Sequence, residues 1–244
     1  MRAMTASDFL NVWEEGLDRL PYERALAILE SACPELSREQ VRELSIGQRD
    51  GLLLALQAST FGPELTALST CPRCRTAVEV AVEVAQLKQA ATLSSLSGTE
   101  STAIIVRDGR EFQVRRPNSS DLAAADGMEP EQAASKILAR CVTSEGVRVD
   151  ATKLSAETVE QLTEKMAALD PQAECVLEVA CAACESSWLE RLDIVAFLWS
   201  ELDAWAKRTL REVHALASAY GWTETEVLSL SASRRQVYLA MVNT

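Results

Sequence analysis

Residues 71–84 read CPRCRTAVEVAVEV, and residues 175–194 read CVLEVACAACESSWLERLDI. Each stretch holds two cysteines separated by two residues: Cys71 and Cys74 in the first, Cys181 and Cys184 in the second. This spacing lets a tight turn, here called a knuckle, aim both sulfurs at one point, and two facing knuckles supply the four thiolates of a tetrahedral zinc shell. The sequence therefore predicts one structural zinc ion bound by Cys71, Cys74, Cys181 and Cys184.

The sequence around both knuckles is typical of β-strands. Apolar residues alternate over 76–84 after the first knuckle, and the short apolar segments 175–179 and 187–194 flank the second. Each knuckle is therefore expected at the tip of a hairpin, as in a zinc ribbon. Because residues 75–180 separate the knuckles, the metal is expected to join distant parts of the chain.

The cysteines also allow two other interpretations. The four thiols can stay unligated, or one CxxC pair can act as a redox dithiol, which needs a thiol of lowered pKa, typically at a helix N-terminus after a strand. Neither CPRC nor CAAC clearly opens a helix. The other three cysteines, Cys33, Cys141 and Cys175, occur singly in apolar patterns.

The whole sequence predicts a mostly helical α+β protein. Helical N-terminal and C-terminal parts surround a small β zinc-ribbon, and a helical insertion lies between its two CxxC knuckles. The predicted segments are an N-terminal helical part (1–62), a first ribbon arm with a linker and a hairpin (63–117), the helical insertion (118–171), a second ribbon arm (172–194) and a C-terminal helical part (195–244).

Capping and turn signals place several element boundaries. Helices are predicted over 8–17, 21–32, 37–44 and 46–60, and the last two begin with the capping boxes Ser37 to Gln40 and Ser45 to Gln48. Residues 86–101 are rich in Ser, Thr and Gln and predict a linker. Asp108 and Gly109 join two alternating runs, as in a type I′ hairpin. A long helix over 194–220 is expected to end at Gly221, with two shorter helices after it.

Charge and hydropathy exclude several classes of function. The formal net charge of -12 repels phosphate backbones, so nucleic-acid binding is not expected. The longest apolar runs fall far short of the roughly 20 residues that cross a bilayer, so no membrane span is expected. The first residues, MRAMTASDFLNVWEEG, have no signal-peptide pattern, and the protein is expected in the cytoplasm.

No motif for catalysis was found. The single histidine, His214, lies in a helical pattern, and the sequence has no Gly-rich phosphate loop, GxSxG or HExxH motif. Four thiolates also leave zinc no open position at which to activate water. We therefore expect no enzyme activity, no catalytic residues and no small-molecule substrate.

The C-terminal part differs in charge from the rest of the chain. Residues 195–244 hold five acidic and five basic residues, so all of the excess acid precedes them. Trp and Arg often carry interface energy, and this end is rich in both. A solvated face is the simpler interpretation, and a protein-docking surface is the functional one. The candidate partner-binding residues are Lys207, Arg208, Arg211, Trp222, Arg234 and Arg235.

The ending YGWTETEVLSLSASRRQVYLAMV resembles the baseplate hub assembly chaperone family of T-even-like phages and phage-derived contractile injection systems. The order of SIGQRDGLLLALQASTFGPEL, CPRC, FQVRRPNSSDLAAA and the second CxxC is also similar to bacterial members, so the resemblance covers most of residues 40–244. It implies a protein encoded with a contractile tail machine that helps to assemble the baseplate or spike hub. Its implied partners are baseplate or spike hub proteins.

The knuckles alone also fit a zinc-ribbon regulatory or nucleic-acid accessory protein. The net charge argues against that class, and tight, salt-dependent binding of DNA or RNA would support it. The third class is a redox enzyme that uses CxxC.

Overall fold

A computed structural model of the chain describes residues 1–87, 102–107 and 109–242. Within these ranges the chain is α+β and mostly helical, as predicted. The helices are α1 Ala6–Gly16, α2 Pro21–Ala32, α3 Arg38–Glu43, α4 Ile46–Thr60, α5 Val84–Leu87, α6 Ser119–Ala125, α7 Pro130–Cys141, α8 Ala156–Leu169, α9 Ile194–Tyr220, α10 Glu224–Ser229 and α11 Ala232–Val242. The strands are β1 Glu64–Thr70, β2 Ala77–Glu83, β3 Thr102–Arg107, β4 Arg110–Arg115, β5 Val142–Ser144, β6 Val147–Arg148, β7 Val176–Ala180 and β8 Ser187–Arg191.

The main core is mostly helical and packs the N-terminal helices against α9. Helices α1, α2 and α4 pack against the first half of α9, and their apolar residues recur at helical spacing. Leu29, Leu53 and Leu202 are among the fully buried side chains of this core. The four predicted N-terminal helices are confirmed with ends within two residues, and so are the capping boxes at Ser37 and Ser45.

The two predicted hairpins are present, each with a CxxC at its tip. Strand β1 pairs antiparallel with β2, and β7 pairs antiparallel with β8, as two separate two-stranded sheets. Side chains alternate between a covered and an exposed face, with Leu65 and Val179 buried. We call these four strands and their knuckles the ribbon.

The chain between the knuckles forms a second unit with its own core, here called the insertion: β3 to β6 with α6, α7 and α8. Its four-stranded antiparallel sheet has the order β3-β4-β5-β6 and covers Phe112, Val114, Leu138 and Leu162. The β3–β4 hairpin is confirmed; Gly109 has a φ of 72°, and Asp108 lies outside the described residues.

The sequence predicts a helical segment over 118–171, and this prediction is wrong for residues 142–148, which form β5 and β6. Strands β5 and β6 have only three and two residues, too few for a visible alternation. The predicted linker 86–101 falls mostly on residues 88–101, outside the described residues. Gln86 and Leu87 instead end the short helix α5.

Two buried carboxylates tie the insertion together and to the helical core. Asp170 accepts hydrogen bonds from Ser45 Oγ (3.0 Å) and from the N–H of Gly47 (2.9 Å) at the start of α4. A Cβ at position 47 would lie 2.3 Å from Asp170 Oδ1, so this position requires glycine. Asp121, with no exposed surface, accepts two bonds from Arg115 (2.6 and 2.9 Å) and one from Arg140 (2.8 Å).

The second half of α9 leaves the main core and packs with α10 and α11, forming what we call the C-terminal head. Its small core contains Val213, Leu216 and Val227. Helix α9 ends at Gly221, whose φ of 69° is left-handed, as the predicted break requires. No helix in the described part of the chain is long and apolar enough to cross a membrane.

Candidate metal centre

The two knuckles have the same backbone hydrogen bonds. In the first, the N–H of Cys71 donates to the carbonyl of Thr76 (2.9 Å), and the N–H of Arg75 donates to the carbonyl of Cys71 (3.0 Å). In the second, the N–H of Cys181 donates to the carbonyl of Ser186 (2.9 Å), and the N–H of Glu185 donates to the carbonyl of Cys181 (2.8 Å). The two turns therefore present their paired sulfurs in the same way.

The residue after each second cysteine has a left-handed backbone. Arg75 has a φ of 63° and Glu185 a φ of 58°, values that favour glycine. A side chain at such a position costs on the order of 1 kcal/mol. Both strained residues directly follow a cysteine of the cluster, so the strain lies in the turns that position the sulfurs.

The four predicted ligand atoms converge. Cys71 Sγ lies 3.6 Å from Cys184 Sγ, and Cys74 Sγ lies 3.6 Å from Cys181 Sγ. All four sulfurs lie within 4.8 Å of one another. The first cysteine of each knuckle is thus paired with the second cysteine of the other.

These separations fit a metal ion and exclude disulfide bonds. A disulfide requires sulfurs about 2.0 Å apart. Four sulfurs about 2.3 Å from a tetrahedral zinc ion lie about 3.8 Å from one another, close to the observed spacing. A shell of four thiolates suits zinc or iron and leaves no open coordination position. The cluster can therefore hold one closed, four-coordinate metal ion.

Two hydroxyl groups, neither of them predicted from the sequence, contact the sulfurs. Ser186 Oγ lies 3.1 Å from Cys184 Sγ and 3.4 Å from Cys71 Sγ, and Thr76 Oγ1 lies 3.2 Å from Cys74 Sγ. Both residues stand two positions after the second cysteine of their knuckle. That shared position in CPRCRT and CAACES was the available sequence signal.

Hydrogen bonds and desolvation shift the pKa values of Cys71, Cys74 and Cys181 in different directions. A hydrogen bond from the Ser186 hydroxyl and a smaller contribution from the backbone at Cys74 lower the pKa of Cys71 to about 6. The pKa of Cys74 is also lowered, mainly by the Thr76 hydroxyl. A backbone hydrogen bond at Ala183 lowers the pKa of Cys181, but desolvation and the neighbouring thiols outweigh it and raise that pKa to about 11. A metal ion must displace the protons that remain, so its affinity is expected to rise with pH.

The low pKa of Cys71 does not come from a helix. Each CxxC lies between two strands of a hairpin, and neither opens a helix, as predicted. A redox dithiol typically has its reactive cysteine at a helix N-terminus. The observed arrangement lacks that feature and instead pairs sulfurs across the two knuckles.

The candidate partner-binding residues all lie on the C-terminal head, but not all are accessible. Lys207, Arg208, Arg211 and Arg234 are exposed, and Lys207 Nζ donates to Asp203 (2.7 Å). Arg235 is buried, where its Nε donates to Glu212 (3.0 Å) and its Nη1 to the carbonyl of Leu230 (2.8 Å). Arg235 therefore holds α11 against α9.

Aromatic side chains cover one side of the head. Trp222 stacks on Tyr220, with ring centroids 4.7 Å apart, and meets the edge of Tyr238 at 5.0 Å. Tyr220 is 40% exposed. His214 is also exposed.

The fold and the sulfur cluster define an α+β protein in which two hairpins, distant in sequence, converge on a four-cysteine site. A family profile described as "T4 bacteriophage base plate protein" matches residues 22–199, well over half of the chain, and the chain belongs to this family. The matched residues include most of the helical core, the insertion and the ribbon, and they end before the C-terminal head. No curated protein and no solved structure matches the chain.

Proposed function

We propose that this chain is a non-enzymatic assembly chaperone or adaptor for the baseplate or spike hub of a contractile, phage tail-like injection system. Membership of the baseplate family carries this proposal, because it associates the chain with baseplate proteins. The expected partners are baseplate or spike hub proteins. Assembly takes place in the cytoplasm, and the protein binds neither nucleic acid nor a small-molecule substrate.

The proposal assigns one structural zinc ion to the four cysteines. Cys71, Cys74, Cys181 and Cys184 would hold it, and their spacing fits its tetrahedral shell. Bound zinc supplies a cross-link and no reactive position. The hydroxyls of Thr76 and Ser186 orient the thiolates, and the two hairpins become one rigid unit.

Docking is assigned to the C-terminal head. Lys207, Arg208, Arg211 and Arg234 give it exposed positive charge on a chain of net charge -12, and Trp222 belongs to its aromatic cluster. Such a surface suits an acidic partner, because complementary charge steers association and aromatic and Arg side chains carry binding energy. Arg235 contributes indirectly, through its buried pair with Glu212.

A deletion strain tests the proposal directly. Deleting the gene from a strain that produces the particle is expected to remove assembled, contractile particles from electron micrographs, and the intact gene is expected to restore them. A chain with Lys207→Glu, Arg208→Glu and Arg211→Glu should restore few particles, whereas Lys153→Glu, an exposed residue of the insertion, should restore them fully. Normal particles in the deletion strain would overturn the proposal.

A further inference from the structure

The ribbon contains a groove that all four of its strands line, and two of those strands have an unpaired edge. Strands β1 and β8 each pair on one side only, and in the described part of the chain no backbone hydrogen bond reaches their other edges. Unpaired edges present a row of N–H and C=O groups that can accept another strand. The side chains of the two strands meet where Ser69 Oγ donates to Glu190 Oε2.

Between these strands lies a cavity of about 230 Å³. Its apolar lining includes Leu65, Ala67, Val80, Leu177 and Phe197. Leu68, which is 78% exposed, also lines it, so the cavity opens to the surface beside β1. The volume is below the roughly 300–1,000 Å³ of small-molecule sites and suits a single large side chain.

The cavity lining and the ribbon strands carry more acidic than basic side chains. Arg191 is the basic residue at the groove, and it is paired with Glu174 (2.8 Å), while Arg73 and Arg75 lie in the first knuckle at the hairpin tip. Glu190 lines the cavity, and bonds from Ser69 and then Trp188 lower its pKa, so it is ionised at neutral pH. The acidic side chains on and beside the strands are Glu64, Glu79, Glu83, Glu174, Glu178, Glu190 and Asp193.

We propose that this groove binds an extended, basic segment of a partner baseplate protein. The segment adds a strand to the free edge of β1, places one large apolar side chain in the cavity, and directs Lys or Arg toward the surrounding carboxylates. Main-chain pairing supplies affinity, and the cavity and charge supply specificity. This inference rests on the proposed function, because it names the kind of partner segment that the ribbon recognises.

A defined peptide tests the groove. Binding of fluorescein-labelled acetyl-KTKFKTK-amide is measured by fluorescence anisotropy against the full, metal-loaded chain. Acetyl-ETEFETE-amide serves as the charge control, and acetyl-KTKAKTK-amide lacks the side chain that fills the cavity. The basic phenylalanine peptide should bind at least tenfold more tightly than either control, and its affinity should fall as salt is raised.

Matched variants locate the binding. Ala67→Phe fills the cavity from β1 and should weaken binding at least tenfold, whereas Ala81→Phe adds the same group to the exposed face of β2 and should change binding less than twofold. Leu68→Lys, at an exposed mouth residue, adds repulsion without disturbing packing and should also weaken binding. Metal content and circular dichroism are measured for each variant.

Three results would overturn the inference: no binding by the native chain, equal binding of the acidic peptide, or unchanged binding by both Ala67→Phe and Leu68→Lys. The deletion strain tests the proposed function independently of the peptide-binding experiment. A chain that is required for particle assembly but ignores the peptide would refute the groove alone.

Discussion

The ribbon and the insertion are both small antiparallel β units, but they are stabilised in different ways. The insertion buries Phe112, Val114, Leu138 and Leu162 in its own core. The covered face of the ribbon packs on the main core through Leu65, Val82 and Leu177, and its tips contain four cysteines. Since isolated two-stranded hairpins are marginal in water, the ribbon needs another source of stability. Under the proposed function a metal ion replaces the core that the ribbon lacks.

Removing the metal ligands is expected to have the largest effect, and to destabilise the ribbon but not the insertion. Changing Cys71, Cys74, Cys181 or Cys184 to serine is expected to abolish zinc binding, which supplies on the order of 10 kcal/mol in small zinc domains. Hydrogen exchange should then show β1, β2, β7 and β8 unprotected, while the insertion sheet keeps its protection. Zinc content is measured by elemental analysis.

The same substitution at Cys33 provides the control. Cys33 is buried in the helical core, away from the sulfur cluster, so Cys33→Ser should have a milder effect and leave the zinc content unchanged. A native chain without zinc, with cysteine variants of unchanged stability, would refute the metal proposal.

The next effect should appear in the insertion alone. Asp121→Asn removes the buried carboxylate that Arg115 and Arg140 share, and leaving their charges without it is expected to cost about 3 kcal/mol of unfolding free energy. Urea denaturation gives the cost, and hydrogen exchange shows where it falls. If the ribbon lost its protection from hydrogen exchange before the insertion did, the two units would not be stabilised independently, and the prediction would be wrong.

Asp121 also gives the insertion a dependence on acid. Burial opposes ionisation, but hydrogen bonds from Arg115, Asn118 and Arg140 outweigh it and lower the pKa of Asp121 from 3.8 to about 2. Because the folded pKa is depressed, the stabilisation is complete above about pH 4 and is lost as the pH falls toward 2. Denaturation midpoints between pH 5 and 2 should therefore fall less steeply for Asp121→Asn than for the native chain.

A smaller effect tests the hydroxyls beside the sulfurs. Ser186→Ala removes a group that contacts two sulfurs and should weaken zinc binding about tenfold. Thr76→Ala, which removes a contact to one sulfur, should weaken it less. Competition with a chelator measures both affinities, and Ser187→Ala, at an exposed neighbour, should match the native chain.

The smallest effect compares backbone strain in the two units. Glycine at Arg75 or Glu185 in the knuckles, and at Glu145 in the β5–β6 turn, relieves a left-handed conformation at each position. Each change should raise the unfolding free energy by about 1 kcal/mol. Thermal unfolding should show the gain at Glu145→Gly with or without metal, and the gain at the knuckles only with metal bound.

The sequence was most informative where a local rule determines the structure. The capping boxes at Ser37 and Ser45, the break at Gly221 and the two hairpin tips all follow from short-range geometry, and all were predicted. Strands β5 and β6 were too short to show a period. The convergence of the four sulfurs was expected from their spacing, whereas the burial of Arg235 depends on Glu212, 23 residues earlier on a facing helix.

The long interval between the knuckles also sets the order in which the molecule can be built. Cys74 and Cys181 are 107 positions apart. A ribosome adding about 5–20 residues per second therefore needs roughly 5–20 s to supply the second half of the site after the first. Under the proposed function, the first pair of thiols meets the cellular metal pool during that time with only half of the site made. The insertion, made in between, can fold first and shorten the distance that the two halves must close.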